Sequence, residues 1–169
     1  TYTLSVAPAG SDIWSTLATG ESNVDAATLA AWTPAVPDGR YRLRLAAADR
    51  AGNTAETLHE VVVDGTPPVA DIATPADGAF VSAEFAATGT ATDTNFADYR
   101  LSLRRAGSAP DAWSDVYTGD APVTAATLAN LALPATGGDW LLRLTVTDRA
   151  GLTASDQVAL RLDVQPPAA

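Results

Sequence analysis

The sequence has no cysteine, which excludes disulfides, thiolate metal sites and cysteine nucleophiles. It leaves the compartment open, because many bacterial surface proteins also avoid cysteine. Lysine is missing as well, so all ten basic residues are arginine, set against 20 acidic residues for a formal charge of −10. Such a chain offers no basic field to collect phosphates, and nucleic-acid binding is not expected. The same sign disfavours anionic membrane surfaces, and no apolar run approaches the roughly 20 residues that a spanning helix needs. There is one histidine, His59. The sequence contains no Gly-x-Ser-x-Gly elbow, His-Glu-x-x-His metal helix or Gly-rich phosphate loop.

What is present is a turn-rich globular composition, 47% hydrophobic and mostly Ala, Val and Leu, with 12 glycines and 11 prolines spread along 169 residues. That length accommodates two small domains. An internal repeat supports two. The segment YRLRLAAADRAGNTA from Tyr41 aligns with WLLRLTVTDRAGLTA from Trp140, a shift of 99 (140 less 41). The same shift places Trp14 on Trp113, Thr28-Leu29 on Thr127-Leu128, Asp64 on Asp163 and Pro67-Pro68 on Pro166-Pro167. Upstream, Tyr2 to Val6 corresponds to Tyr99 to Leu103 at a shift of 97 (99 less 2), a difference that a loop absorbs. A unit near 100 residues is too long for a solenoid and suits a sandwich domain.

The second unit reads as strands. In AEFAATGTATD, Phe85, Ala87, Gly89 and Ala91 share one face, the period of two of a half-buried strand. Tyr99, Leu101 and Leu103 alternate in the same way, as do Trp140, Leu142, Leu144 and Val146, and Val158, Leu160, Leu162 and Val164. VADIATP is a short opening strand ended by Pro75 and Asp77-Gly78. VTAATLANLAL fits either a strand or an irregular segment. Six or seven short strands without a helical period predict an all-β chain of tandem antiparallel immunoglobulin-like β-sandwiches. The expected domains are 1–66, a repeat lacking its first two strands, and 67–169, a complete repeat. Residues 69–98 have no counterpart in the first unit. That unit therefore supplies only the later five strands, and the opening two come from preceding residues, from another protomer, or from nowhere.

The string Gly39 to Asn53, G-x-Y-x-L-x-L-x-A-x-D-x-A-G-N, followed by VVVDGTPP at Val61 to Pro68, resembles the end of bacterial immunoglobulin-like and fibronectin-III-like tandem repeats. GTATDTNFADYRLSL at Gly89 to Leu103 and the tryptophans Trp14 and Trp113 extend the likeness over nearly the whole chain. The resemblance implies secreted or cell-surface placement and neighbouring repeats of the same chain as partners. It also implies a tyrosine, here Tyr41, bonded back to a nearby loop. Trp140 takes that place in the second unit, where indole can donate but cannot accept.

Such arrays hold calcium between domains through aspartates. The resemblance thus makes Asp49, Asn53, Asp64, Asp77, Asp93 and Asn95 candidate ligands for a cation that takes six to eight oxygens. The alternative is that these residues serve turns. Because Leu152 replaces Asn53 in the second unit, the site is expected to be better formed inside the chain than at its end. Trp32, opposite Leu131 in the repeat, is the one tryptophan without an aromatic counterpart and a candidate for stacking a glycan. His59 corresponds to the inward Val158 and reads as a core-rim residue. Arg40, Arg42 and Arg44, like Arg100 and Arg104, form stripes that suit a solvated face or cross-strand ion pairs.

Three functions stay in view. The first is a non-catalytic spacer or adhesive module of a large extracellular repeat protein, not an enzyme and not inserted in a membrane. The second is a polysaccharide- or ligand-binding accessory module of a secreted enzyme. The third is an assembly module completed by strand donation.

Overall fold

A computed structural model of the chain describes residues 1–133 and 137–163. Among these the only regular elements are β-strands, and no helix is long and apolar enough to cross a membrane. The chain separates into two compact units, Thr1–Gly65 and Thr66–Ala169.

Unit 2 contains β5 (Val69–Thr74), β6 (Ala79–Val81), β7 (Glu84–Thr92), β8 (Phe96–Arg105), β9 (Ser114–Gly119), β10 (Val123–Ala132), β11 (Gly138–Asp148) and β12 (Thr153–Leu162). They form a three-stranded sheet, β10-β7-β5, and a five-stranded sheet, β6-β12-β11-β8-β9. This is the layered arrangement of an immunoglobulin-like sandwich. The alternating residues of both sheets meet in one core. Leu101, Leu142, Leu144 and Val146 come from the larger sheet, and Ala87, Ala91, Leu128 and Leu131 from the smaller, all 5% exposed or less. Val164 and the Pro166-Pro167 pair lie outside the described residues.

The segment left open between strand and irregular is a strand, β10, with a kink at Ala125, whose φ is 45°. One strand escapes the sequence pattern. β6 is three residues long and runs parallel to β12, Ala79 beside Leu160 and Val81 beside Leu162. Three residues are too few to display a period, so pairing alone defines this strand, and the larger sheet is mixed rather than purely antiparallel.

Unit 1 is one antiparallel sheet, β2-β1-β3-β4, built from β1 (Tyr2–Pro8), β2 (Ser15–Gly20), β3 (Gly39–Ala48) and β4 (Thr54–Val63). It has four strands where the sequence led us to expect five. Val24 to Thr33, the counterpart of β10, carries no strand. Six of those ten residues match β10 at the 99 shift, and Ala26 has φ 48°, matching the kink at Ala125. Local conformation is thus preserved. What differs is that β10 hydrogen-bonds to β7, and unit 1 holds no such strand. A strand is defined by its partner's backbone groups, which no local propensity replaces.

Two repeated devices tie each sheet together. Tyr2 lies across from Gly20, and Tyr99 from Gly119, with each ring where a glycine Cβ would stand, 2.2 and 2.3 Å from the nearest ring atom. An aromatic covering a cross-strand glycine restores the apolar contact that the glycine lacks. The hydroxyl of Tyr99 then donates to the Leu128 carbonyl at 2.6 Å, joining the two sheets. Burial, with the Tyr117 phenol beside it, pushes the Tyr99 phenol up to about 12. Trp14 is stacked by Arg42 and Arg44, 5.2 and 4.3 Å from its ring centre, and Trp113 by Arg104 and Arg143, at 4.9 and 4.1 Å. The arginine stripes combine two roles: exposed Arg40 pairs with Glu60, and Arg100 with Asp98 and Asp115, while Arg42, Arg44 and Arg104 clamp a tryptophan through cation–π contact.

Candidate functional site

The carboxylates singled out by sequence fall into separate local structures. Asp49 and Asn53 close the β3–β4 hairpin. Asp49 Oδ1 accepts from the backbone amides of Ala51 and Asn53, each at 2.9 Å, and Oδ2 accepts from Asn53 Nδ2 at 2.8 Å. Both oxygens are thus engaged inside the turn. The Asn53 side chain, followed by backbone amides, holds this exposed carboxyl below its ordinary value of 3.8. Asp64 follows β4, at the opposite end of that ten-residue strand from the Asp49 loop. Roughly 30 Å of extended chain separates the two, so unit 1 does not bring Asp49 and Asn53 together with Asp64.

A lowered folded value means that Asp49 contributes stability above the unfolded pKa. The contribution is lost as pH falls through the folded value. Asn53→Leu is expected to move the Asp49 midpoint up towards 3.8 and to weaken the acid dependence of unit 1, measured by NMR titration of the carboxyl carbon. An unmoved midpoint would show that the backbone amides alone set it.

Asp77 sits in the β5–β6 turn, where Oδ1 accepts from the Ala159 amide at 2.8 Å while Gly78 N donates to the Ala159 carbonyl, also at 2.8 Å. It fastens that turn to β12. In the loop between β7 and β8, Asp93 Oδ1 accepts from the Asn95 amide at 2.6 Å, and the Asn95 carbonyl accepts from Arg149 N at 2.8 Å. That second bond docks the Asp93 loop on the β11–β12 hairpin loop.

The docking brings in a residue the sequence reading missed. Asp148, the repeat counterpart of Asp49, is 2% exposed. Its Oδ1 accepts from Leu152 N at 2.8 Å, the same turn bond that Asp49 makes with Asn53. Its Oδ2 is buried with no hydrogen-bond partner among the described residues. Carboxylate oxygens of Asp93 and Asp148 lie within 4.8 Å of one another. Leu152, which stands where the first unit has Asn53, carries no side-chain donor for that second oxygen.

Trp32 is half-buried, its ring edge-on to Tyr41 at 6.2 Å and 70°, and Tyr41 in turn donates its hydroxyl to the Pro37 carbonyl at 2.9 Å. Trp32 therefore props the tyrosine corner of unit 1. Trp140, the repeat counterpart of Tyr41, has its Nε1 buried without a partner among the described residues. His59 is exposed opposite Leu43. It is not at a core rim, because unit 1 has no second layer on that side, whereas Val158 at the matching position is 7% exposed beneath one.

No family model and no curated protein matches the chain. Among solved structures, it is similar to the FN1–FN3 domains of chicken CNTN1, at 13% identity over 95% of this chain and 56% of that one, with a TM-score of 0.49. It is also similar to a tetra-tandem repeat in the extending region of a large adhesion protein, at 17% identity over 96% of this chain and 41% of that one, with a TM-score of 0.42. The chain spans about half the length of these structures.

Proposed function

We propose that the chain is a non-catalytic structural repeat of a larger extracellular protein, a spacer or adhesive module whose task is mechanical. One observation carries this reading. The four-stranded sheet of unit 1 recurs within the five-stranded sheet of unit 2, and the repeated positions serve packing: the tyrosine over a glycine, the arginine-clamped tryptophan, the inward leucines. The Pro67-Pro68 pair limits backbone freedom at the start of unit 2. Pulling a handle-flanked chain in an optical trap tests it. A spacer gives one discrete rip for unit 2, with a length gain on the order of 300 Å for a sandwich of this size. Gradual, featureless extension at low force would sink the reading.

A second reading, calcium binding, is favoured by the Asp93 and Asp148 pair. Two carboxylates this close, one of them buried, repel unless a cation intervenes. The open Asp148 Oδ2 and the Asp93 carboxylate, with Asn95 on the same loop, present the hard oxygen donors that calcium selects. Calcium at about a hundred-fold excess over its Kd is expected to stabilise unit 2 by about 3 kcal/mol, read as a higher melting temperature that EGTA reverses. Asp148→Asn should abolish the response. An identical melting curve in calcium and EGTA would end the idea.

A further inference from the structure

We propose that a cleft at one end of the unit 2 sandwich binds an aliphatic monocarboxylate, with Arg105 taking the carboxylate and the apolar walls taking the chain. The outer strand of the larger sheet is β9, and an outer strand of the smaller sheet is β10. Between the start of one and the end of the other opens a cleft of about 550 Å³, walled by Leu103, Arg105, Val116, Leu133 and Trp140. That volume falls in the range of small-molecule sites. Leu103 and Leu133 belong to the core, whereas Val116 is 40% exposed.

The two units differ at this end. Arg105 lies across from Trp140, as Pro8 lies across from Tyr41 in unit 1. Pro8 matches Arg105 at the shift of 97 (105 less 8), and Tyr41 matches Trp140 at the shift of 99 (140 less 41). A proline and a tyrosine are thus replaced together by an arginine and a tryptophan. Both replacements fall on the inner face of the sheet, because Leu103 and Leu142, two residues away on the same strands, are core residues. Tyr41 satisfies its hydroxyl on the Pro37 carbonyl. Trp140 Nε1 finds no acceptor among the described residues, and the exposed Arg105 forms no ion pair among them. In a chain with twice as many acidic as basic residues, this cation is left without a carboxylate.

The lining defines the ligand. A guanidinium presents a planar fork of donors that matches the two oxygens of a carboxylate. One cation suits one negative charge, since the net charge of −10 repels a more highly charged anion. Leu103, Val116, Leu133 and the Trp140 ring favour an apolar body, whose burial removes their surface and its own from water.

Octanoate is the probe, titrated into the isotope-labelled full chain at neutral pH and followed by NMR. The expected result is saturable shifts of the Leu103, Val116 and Leu133 methyls and the Trp140 indole N–H, with a Kd below about 1 mM. Acetate, which keeps the charge, and 1-octanol, which keeps the chain, should each bind at least about ten-fold more weakly. Arg105→Gln alters an exposed side chain outside the core, so the fold is retained. It should weaken octanoate at least about ten-fold and leave octanol unchanged. Absence of saturable shifts at these residues overturns the proposal, as does octanol binding as tightly as octanoate or Arg105→Gln binding octanoate as the parent chain does. Equal shifts across both units also overturn it, because they report unspecific association. The spacer reading is independent of every outcome, since its optical-trap signature needs no ligand.

Discussion

Gly89→Ala is expected to destabilise unit 2 by on the order of 3 kcal/mol, lowering its melting midpoint by roughly 10–20 °C. Gly89 is central in β7, the middle strand of the three-stranded sheet, opposite Ile72 on one side and Ala126 on the other. Both neighbours are irregular there. The β5 register shifts between Ile72 and Thr74, and the β10 register between Val123 and Ala126. A Cβ on Gly89 would stand 2.0 Å from the Asp71 carbonyl oxygen, 3.0 Å from its carbon and 3.1 Å from Ile72 Cα. All three are backbone atoms, so no rotamer change relieves the clash. β5 must separate from β7, with loss of pairing at one edge and of Ile72 from the core. Urea unfolding followed by circular dichroism checks this. A loss under 1 kcal/mol would mean that β5 is not held where we describe it.

The second large effect is a contrast between matched residues. Leu45 and Leu144 are the same position of the repeat, 99 apart (144 less 45), each inward on the strand after the tyrosine corner. Leu144 is fully buried, 0% exposed, beneath the smaller sheet, whereas Leu45 is half-exposed and lines the open groove. Leu144→Ala removes buried methylenes and leaves a cavity, and is expected to cost about 3 kcal/mol. Leu45→Ala removes a side chain that keeps much of its water contact, and should cost about 1 kcal/mol. Equal costs in the chain alone would show that unit 1 is covered in some other way.

Much of this architecture could be read without coordinates. The inward faces of β7, β8, β11 and β12 follow from period-two alternation, a property of each strand by itself. The Tyr41 corner followed from its place in the resembling motif, and its hydroxyl meets the Pro37 carbonyl at 2.9 Å. The 99-residue register is a statement about sequence alone, and it survives in details no pattern would have predicted, such as the left-handed Ala26 and Ala125.

What only the tertiary structure decided are the features that depend on groups distant in the chain. Val24 to Thr33 and β10 share most of their residues, yet only one is a strand, because the deciding hydrogen bonds belong to β7. β6 exists because β12 is beside it. Trp14 and Trp113 read as packing positions, and the structure shows what they pack against: guanidinium groups rather than a core. Asp49 and Asp148 both sit in loops that spell Asp-x-Ala-Gly. The difference lies in whether the residue four places on can donate to the second oxygen, and in which neighbouring loop stands close enough to share it. Side-chain periodicity is encoded residue by residue. Partnership is encoded by whatever the rest of the chain brings near.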